Sequence, residues 1–442
     1  MNVDPRRLLS FDALVLTSAI WFLAKFFRYA FPPLYPTFQA DFGVSNTLLG
    51  TAFSAMMLVY AVMQFPSGAL ADRFGSVRII AAGMAITAAS GFLLAIEGPL
   101  PILLVGMLLV GIGTGAHKTV AIRLLSTVYP ERTGRTLGIF DTIGALGGAV
   151  APIVVVAILD VSGWRSFFLL GAVVGVGLLA AFARRVPRRL PADDTSNPDP
   201  DPDPDGTGDP EHPDESANED GNEDGDGNGN ENGDEDRNED EGRNGDGAQN
   251  TGWTSRYAVL FRDPTFVTFV TVTALVGFAH NGLAAFLPLY LVDVTGLTPT
   301  TANLLYSVFF FVSVVQVLTG DLGDRFGQRL VMLLTLVIAT AGTGVLLVAS
   351  GPAVAGLAVL AVGFGSHGFR PVRGAYLVKV VPDSMVGGSL GIVRTILTGA
   401  GFVSPAIVGL MSDTVGFVPA FALLAVAMGG GAGAAALLSR LE

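Results

Sequence analysis

Two short stretches of this sequence, GALADRFGSVR at residues 68–78 and GDLGDRFGQR at residues 320–329, share one pattern. Both contain Gly-x-Leu-x-Asp-Arg-Phe-Gly, and the second copy follows the first at an offset of 252 residues. The same offset aligns Pro130 with Pro382. A motif that recurs in the same order at a fixed offset indicates an internal duplication, here of two units that run in the same direction.

The composition is that of a membrane protein. Half of the 442 residues are hydrophobic and 14% are charged, with a mean hydropathy of +0.55, whereas soluble domains have roughly 25% charged residues. Twelve apolar runs, six before residue 191 and six after residue 250, are each long enough to cross roughly 30 Å of hydrocarbon. Together with the duplication, they predict an all-α membrane protein of twelve transmembrane helices in two parallel six-helix repeats.

The segment between the two sets of runs has a different composition. Residues 191–250 hold 23 of the 38 acidic residues and contain no Val, Ile, Leu, Met, Phe, Trp or Tyr. Because such a segment cannot bury a core, we predict a disordered acidic cytoplasmic linker over residues 187–255. It would join an N-terminal six-helix bundle, residues 1–186, to a C-terminal one, residues 256–442. Calcium binding by its Asp-rich runs is the alternative to a solvated spacer.

The basic residues predict the orientation in the membrane. With the N-terminus inside, 18 Lys and Arg residues fall in the inner loops and at the inner helix ends, and Arg165 alone falls in an outer loop. Positive residues concentrate on the cytoplasmic side of membrane proteins. We therefore expect a multi-pass protein of the cell membrane with both termini in the cytoplasm.

The two motif copies resemble the hallmark sequence of the major facilitator superfamily, which lies in the loop after the second helix of each half. The resemblance implies a transporter and not an enzyme, with two halves that rock around a midplane site and a gate formed by the motif residues. It also implies that the first, fourth, seventh and tenth helices line the cavity, and it does not identify the substrate. The gate residues would be Gly68, Asp72, Arg73, Gly75, Gly320, Asp324, Arg325 and Gly327.

Charged residues inside the predicted spans are candidates for the site. A charge at bilayer depth costs about 2.5–3.5 kcal/mol on insertion scales, so such a side chain should face a wet cavity or a partner. Asp141 is the one acidic residue lying well inside a span. We predict that six basic residues or histidines bind the substrate: Lys25, Arg28, Lys118, His280, Arg370 and Arg394.

The duplication relates these charges in pairs. Lys118 and Asp141 lie about 12 Å and about 10 Å from the same end of their helices, at a rise of 1.5 Å per residue. We therefore predict a buried ion pair between them. Their counterparts in the second half, Arg370 and Arg394, are both positive. This excess of cation suits an anionic substrate, since guanidinium groups bind carboxylate and phosphate in a bidentate way.

These patterns favour a monomeric secondary transporter of a small anion, either a carboxylate, a phosphate-like group or an inorganic ion, coupled to a proton or another ion. The alternative is a proton-coupled exporter of drugs or metabolites, in which Asp141 and His280 would carry the proton. The expected partners are the substrate, the coupling ion and the lipid bilayer. We find no sequence motif for a metal site, a cofactor, enzymatic catalysis or nucleic-acid binding.

Overall fold

The structure of the protein, a computed structural model, describes the backbone of residues 11–189, 259–381 and 386–441. The side chains of residues 188–189, 259, 386–392, 394, 439 and 441 are not described. Most of the predicted linker therefore lies outside the described residues. Its first residues, 187–189, belong to a 3-10 turn at Val186–Arg189.

Twelve helices of the described chain are long and apolar enough to cross a membrane, six on each side of the linker, and the described residues contain no β-strand. The predicted all-α fold is thereby confirmed. The helices are α1 Asp12–Phe42, α2 Asn46–Phe74, α3 Ser76–Ala95, α4 Leu100–Val128, α5 Pro130–Ser162, α6 Trp164–Arg185, α7 Pro264–Asp293, α8 Pro299–Phe326, α9 Gln328–Val348, α10 Gly351–Val380, α11 Val386–Thr414 and α12 Phe417–Leu441.

The regular α-helical hydrogen bonding is interrupted in three of these helices. In α1, the pair Pro32-Pro33 cannot donate helical hydrogen bonds, and a 3-10 turn at Pro32–Leu34 follows Ala30. In α8, a 3-10 turn occupies Val312–Val314. The α4 helix stops at Gly115 and resumes at Lys118. At this last break, His117 Nε2 donates a hydrogen bond to the carbonyl of Thr17 in α1, at 3.1 Å.

Glycines allow the helices of the first half to approach closely. Gly147 of α5 faces the backbone of Phe22 in α1, and a Cβ atom at this position would overlap the carbonyl oxygen of Phe22. Gly144 faces the Trp21 ring in the same interface. A Cβ on Gly111 of α4 would lie 2.5 Å from the carbonyl oxygen of Met56 in α2. Small residues at helix contacts of this kind are the usual means of close packing in membranes.

Replacing Gly147 by alanine is expected to lower the stability of the protein by about 1–3 kcal/mol, since the added methyl group meets backbone that cannot rotate away. Gly138→Ala in the same helix is the matched control, because a Cβ there meets no atom within 4 Å. The thermal unfolding midpoint of both variants in detergent is the measurement. Equal midpoints would contradict the close α1–α5 contact.

The two halves meet on one side of the molecule. Because the helices alternate in direction, α1 begins and α12 ends on what we call the terminus side; α2 begins and α11 ends on the distal side. Asp413 of α11 accepts hydrogen bonds from the backbone N–H groups of Asn46 and Thr47 in α2, at 3.2 and 2.7 Å, and from the Thr47 hydroxyl at 2.7 Å. These contacts close the distal side.

Further contacts tie the halves together along the same side. The Ala406 N–H of α11 donates to Ser54 Oγ of α2 at 3.0 Å. The rings of Tyr29 in α1 and Phe310 in α8 lie 4.4 Å apart. A Cβ on Gly409 would overlap the carbonyl oxygen of Asn46, so the start of α2 and the end of α11 touch through their backbones.

Candidate functional site

Two adjoining cavities lie between the halves, on the terminus side of the closing contacts. One has a volume of about 680 Å³ and extends between α2, α4, α7, α10 and α11. The other has a volume of about 320 Å³ and is bounded by α1, α4, α5, α8 and α10. Both are lined by Lys118, Arg370 and Arg373, so they adjoin, and we call the two together the central cavity. Helices α1, α4, α7 and α10 all contribute to it, as the family resemblance implied.

The first half presents two ammonium groups to the central cavity. Lys25 Nζ lies 5.2 Å from the centre of the Trp21 ring, and Lys118 Nζ lies 5.5 Å from the same centre. Trp21 itself is 1% exposed and stacks on Phe140 at 5.9 Å. A ring face held rigidly in this way stabilises nearby cations without neutralising them.

Lys118 and Asp141 form an ion pair with a distance of 3.5 Å between Nζ and Oδ1. The pair joins α4 to α5 at the wall of the 320 Å³ cavity. The prediction that this pair is buried is wrong: the Lys118 side chain is 25% exposed and the Asp141 side chain is 58% exposed. The distance of each residue from the end of its helix correctly predicted that the two groups lie at one level. It could not predict that the cavity between the helices leaves both side chains exposed.

The second half presents Arg370, which donates a hydrogen bond from Nη2 to His280 Nε2 at 2.7 Å. Since guanidinium groups have no acceptor atoms, His280 must accept at Nε2 and carry its proton on Nδ1. Nδ1 has no hydrogen-bond partner among the described residues. The His280 ring stacks on Phe309 at 5.4 Å and meets the edge of His367 at 5.2 Å. Arg370 therefore lines the cavity with an uncharged imidazole, that of His280, as its hydrogen-bond partner.

Arg28 is not among the residues that line these two cavities, and its role in substrate binding stays a prediction. It is 3% exposed, and its guanidinium carbon lies 4.0 Å from the centre of the Tyr60 ring and 5.2 Å from that of Trp21. The helix turns this side chain away from the cavity and towards α2, where aromatic faces replace an acidic partner. The side chain of Arg394 lies outside the described residues, so its predicted role stays a prediction.

The sequence analysis missed several polar residues of the cavity wall. Gln64 of α2 lines one cavity and Gln316 of α8 lines the other. The two are separated by the 252-residue offset of the duplication, so the repeat could have identified them as a pair of equivalent polar residues. Tyr60 and Ser366 also line the central cavity. Ser366 is 2% exposed, and its hydroxyl has no hydrogen-bond partner among the described residues. Uncharged residues of this kind carry no membrane cost that would single them out in a sequence.

The two motif copies are built alike but make different contacts. Each ends in a glycine with positive φ, 84° at Gly75 and 92° at Gly327, a conformation that other residues rarely adopt. In the first copy, Asp72 of α2 forms an ion pair with Arg123 of α4. In the second copy, the position equivalent to Arg123 is Ala375, and Arg325 instead pairs with Asp321 of its own helix at 3.1 Å.

These ion pairs lie within one half of the molecule each. The gate role predicted for the motif residues Gly68, Asp72, Arg73, Gly75, Gly320, Asp324, Arg325 and Gly327 therefore stays a prediction. Near the second motif copy, Lys379 Nζ of α10 donates a hydrogen bond to Gln328 Oε1 of α9 at 2.6 Å. This contact also joins neighbouring helices of one half.

Comparison with known families decides what kind of protein this is. A family model described as Major Facilitator Superfamily matches residues 17–315 and 272–442. The chain belongs to the Major Facilitator Superfamily. The interpretation of the repeated motif is thereby confirmed, and this family consists of membrane transporters and not of enzymes.

Relatives of this superfamily member differ in what they are named for. "Probable sulfoacetate transporter" of Cupriavidus necator is 34% identical over 166 residues, which are 37% of this chain and 39% of the relative. "Probable L-galactonate transporter" of Escherichia coli is 29% identical over 147 residues, 32% of either chain. "Multidrug resistance protein B homolog" of Mycobacterium tuberculosis is 29% identical over 157 residues, 35% of this chain and 29% of the relative. The matched stretches span less than half of each relative.

Solved structures of the superfamily share the fold over the whole chain. A bacterial homologue of the human lysosomal transporter Spinster, in an inward-facing and occupied conformation, has a TM-score of 0.71 at 16% identity and covers 100% of this chain and 98% of its own. A D-xylose–proton symporter has a TM-score of 0.70 at 14% identity, covering 98% and 97%. At these identities the likeness concerns the fold alone.

Proposed function

We propose that this protein is a secondary active transporter that moves a small anion across the membrane by alternating access. The observation that carries the proposal is the charge of the central cavity. Its described lining contains Lys25, Lys118, Arg370 and Arg373 but only one carboxylate, Asp141. A narrow cleft of one charge sign raises the local concentration of ions of the other sign.

Two of these cations, Lys118 and Arg370, differ in the charge of the partner that the structure describes. Asp141 neutralises Lys118, whereas the hydrogen-bond partner of Arg370 is an uncharged imidazole. Charges inside a membrane protein are costly unless they are paired or solvated. A bound anion would therefore stabilise the cavity, and the planar guanidinium of Arg370 suits a carboxylate, sulfonate or phosphate group.

The relatives support this proposal in part. Sulfoacetate and L-galactonate, which appear in the names of two relatives, are both anions at neutral pH. Other relatives are named for multidrug resistance and for riboflavin. The matched lengths are short, so the anion proposal depends on the cavity and not on these names.

A second candidate function is proton-coupled export of an amphipathic compound, and one observation favours it. A crevice of about 250 Å³ between α5 and α8 contains Asp141 together with apolar side chains such as Phe310 and Val317. The Val317 side chain is 77% exposed at the surface of the helix bundle. A protonatable carboxylate beside an apolar crevice is suitable for an exporter of lipophilic compounds.

The orientation follows from the distribution of basic residues. We infer that both termini lie in the cytoplasm, because positive residues concentrate on that side. The terminus side is then the cytoplasmic side, and the open central cavity faces the cytoplasm while the distal contacts seal the outside. We further propose that the bundles of residues 1–186 and 256–442 are joined by an acidic cytoplasmic linker, and that the transporter acts as a monomer coupled to a proton or another ion.

Counterflow in proteoliposomes tests the proposed function. Purified protein is reconstituted, loaded with an unlabelled compound and exposed to the labelled one, with a panel of small carboxylates, sulfonates and phosphates beside a panel of lipophilic cations. Saturable counterflow of an anion supports the proposal. Transport of lipophilic cations that follows a proton gradient, with no anion counterflow, would replace it by the second candidate.

A further inference from the structure

Each half presents to the 320 Å³ cavity one cation that has no carboxylate partner among the described residues. Lys25 belongs to α1 of the first half and Arg370 to α10 of the second half, and both line this cavity. Within the part of the chain that the structure describes, neither forms a salt bridge. Lys25 lies over the Trp21 ring, and Arg370 donates to His280.

The other cations of the cavity have partners. Lys118 is paired with Asp141 at 3.5 Å. The Arg373 guanidinium lies 5.9 Å from the centre of the Phe369 ring and makes a further interaction of its own. Among the described residues, Lys25 and Arg370 are therefore the cavity cations for which no salt bridge is found, one on each half of the molecule.

We propose that the substrate is a small dianion with two separated anionic groups, one bound by Lys25 and the other by Arg370. A sulfonate–carboxylate or a dicarboxylate has this chemistry. The proposal rests on the proposed function, since it names the substrate class of the same cavity. It assigns Lys25 as the residue that selects for the second charge, while Arg370 binds the first.

A dianion and a monoanion of the same size differ in how many of these two cations they can pair with. A monoanion on Arg370 closes water out of the cavity but leaves the Lys25 ammonium unpaired, and an unpaired charge in a dry site is strongly unfavourable. A dianion pairs both cations at once. The preference for the dianion is therefore expected to arise at Lys25 and to disappear when its charge is removed.

The second anionic group of the substrate would also affect the transport step. Lys25 and Arg370 lie on the two halves that move relative to one another in alternating access. A dianion that contacts both would join the halves around itself, as closure of the terminus side requires. A monoanion held by one half would not draw the other half towards it.

The test uses matched probes that differ in charge and little in size: succinate against its monoamide succinamate, and sulfoacetate against its amide. Affinities are measured by calorimetry on the full-length protein in nanodiscs, at a pH where every carboxyl group is ionised. Wild type is expected to bind the dianion of a pair at least about tenfold more tightly, a difference of about 1.4 kcal/mol. In Lys25→Met the ratio is expected to fall to about one, whereas Lys25→Arg keeps it.

Equal affinity of wild type for both members of each pair would overturn the dianion proposal and leave the anion transporter standing. An undiminished preference in Lys25→Met would overturn the role of Lys25. Binding of lipophilic cations with no binding of any of the four anions would overturn the proposed function itself, so the two failures are distinguishable. The unfolding midpoint of each variant shows whether Lys25→Met folds, and Lys25→Gln, which is also uncharged, makes the same comparison if it does not.

Discussion

Anion counterflow is expected to fall at least about 100-fold when Arg370 is replaced by alanine. Arg370 is one of three cations that line both parts of the central cavity, and the hydrogen bond described for it goes to a neutral histidine. A desolvated charge pair that loses one partner typically costs about 2–5 kcal/mol. Initial rates of counterflow in proteoliposomes, at equal amounts of reconstituted protein, measure the effect.

Two further variants separate charge from geometry in this experiment. Arg370→Lys keeps the positive charge but loses the planar, bidentate donor, so we expect a loss of intermediate size. Arg165→Ala is the control, because Arg165 is a cation stacked on Trp164 near the distal side, outside the central cavity. Undiminished anion counterflow in Arg370→Ala would contradict the anion site and direct attention to Asp141.

Replacing Gly409 by alanine is expected to hold the distal side open and to slow transport at least about tenfold. The new methyl group would overlap the carbonyl oxygen of Asn46, at the point where α11 and α2 meet through their backbones. The same movement would break the hydrogen bonds of Asp413 to Asn46 and Thr47. Overpacking at a contact of this kind costs about 1–3 kcal/mol, which is a five- to over a hundredfold change in a two-state equilibrium.

The absence of cysteine from the sequence makes this change easy to measure. A single reporter, Ala145→Cys in the wall of the 320 Å³ cavity, is labelled with a membrane-impermeant maleimide from either side of the membrane. Gly409→Ala is expected to increase labelling from the distal side. Gly399→Ala in the same helix is the matched control, since a Cβ there meets no atom within 4 Å. Identical labelling of all three proteins would show that this contact does not control the distal side.

The sequence was informative wherever the bilayer imposes a cost. Apolar runs revealed the twelve helices because each must cross the same thickness of hydrocarbon. The duplicated motif led to the superfamily, which the family model matches. Lys118 and Asp141 were found as a pair because charge at that depth needs a partner, and helix rise alone placed both at one level; the structure has them 3.5 Å apart.

Tertiary packing decided which way each charged side chain faces. Arg28 and Lys25 are three residues apart in α1, yet Arg28 is enclosed by Trp21 and Tyr60 while Lys25 borders the cavity. The partner of Asp72 is Arg123 of α4, more than 50 residues later in the sequence. Such pairings depend on how α2 and α4 are rotated against each other, and rotation is not encoded in the length or hydropathy of either helix.

The sequence by itself determined the class of the protein, the number of its helices and the residues whose charge requires an explanation, because these follow from the transfer cost of each side chain into the bilayer. Only the tertiary structure decided which of those charges share a cavity and which balance each other. Asp141 balances Lys118, whereas Lys25 and Arg370 line the same cavity and have no salt bridge in the described chain. That arrangement is set by contacts between the two halves, and such contacts depend on the shapes of surfaces distant in sequence.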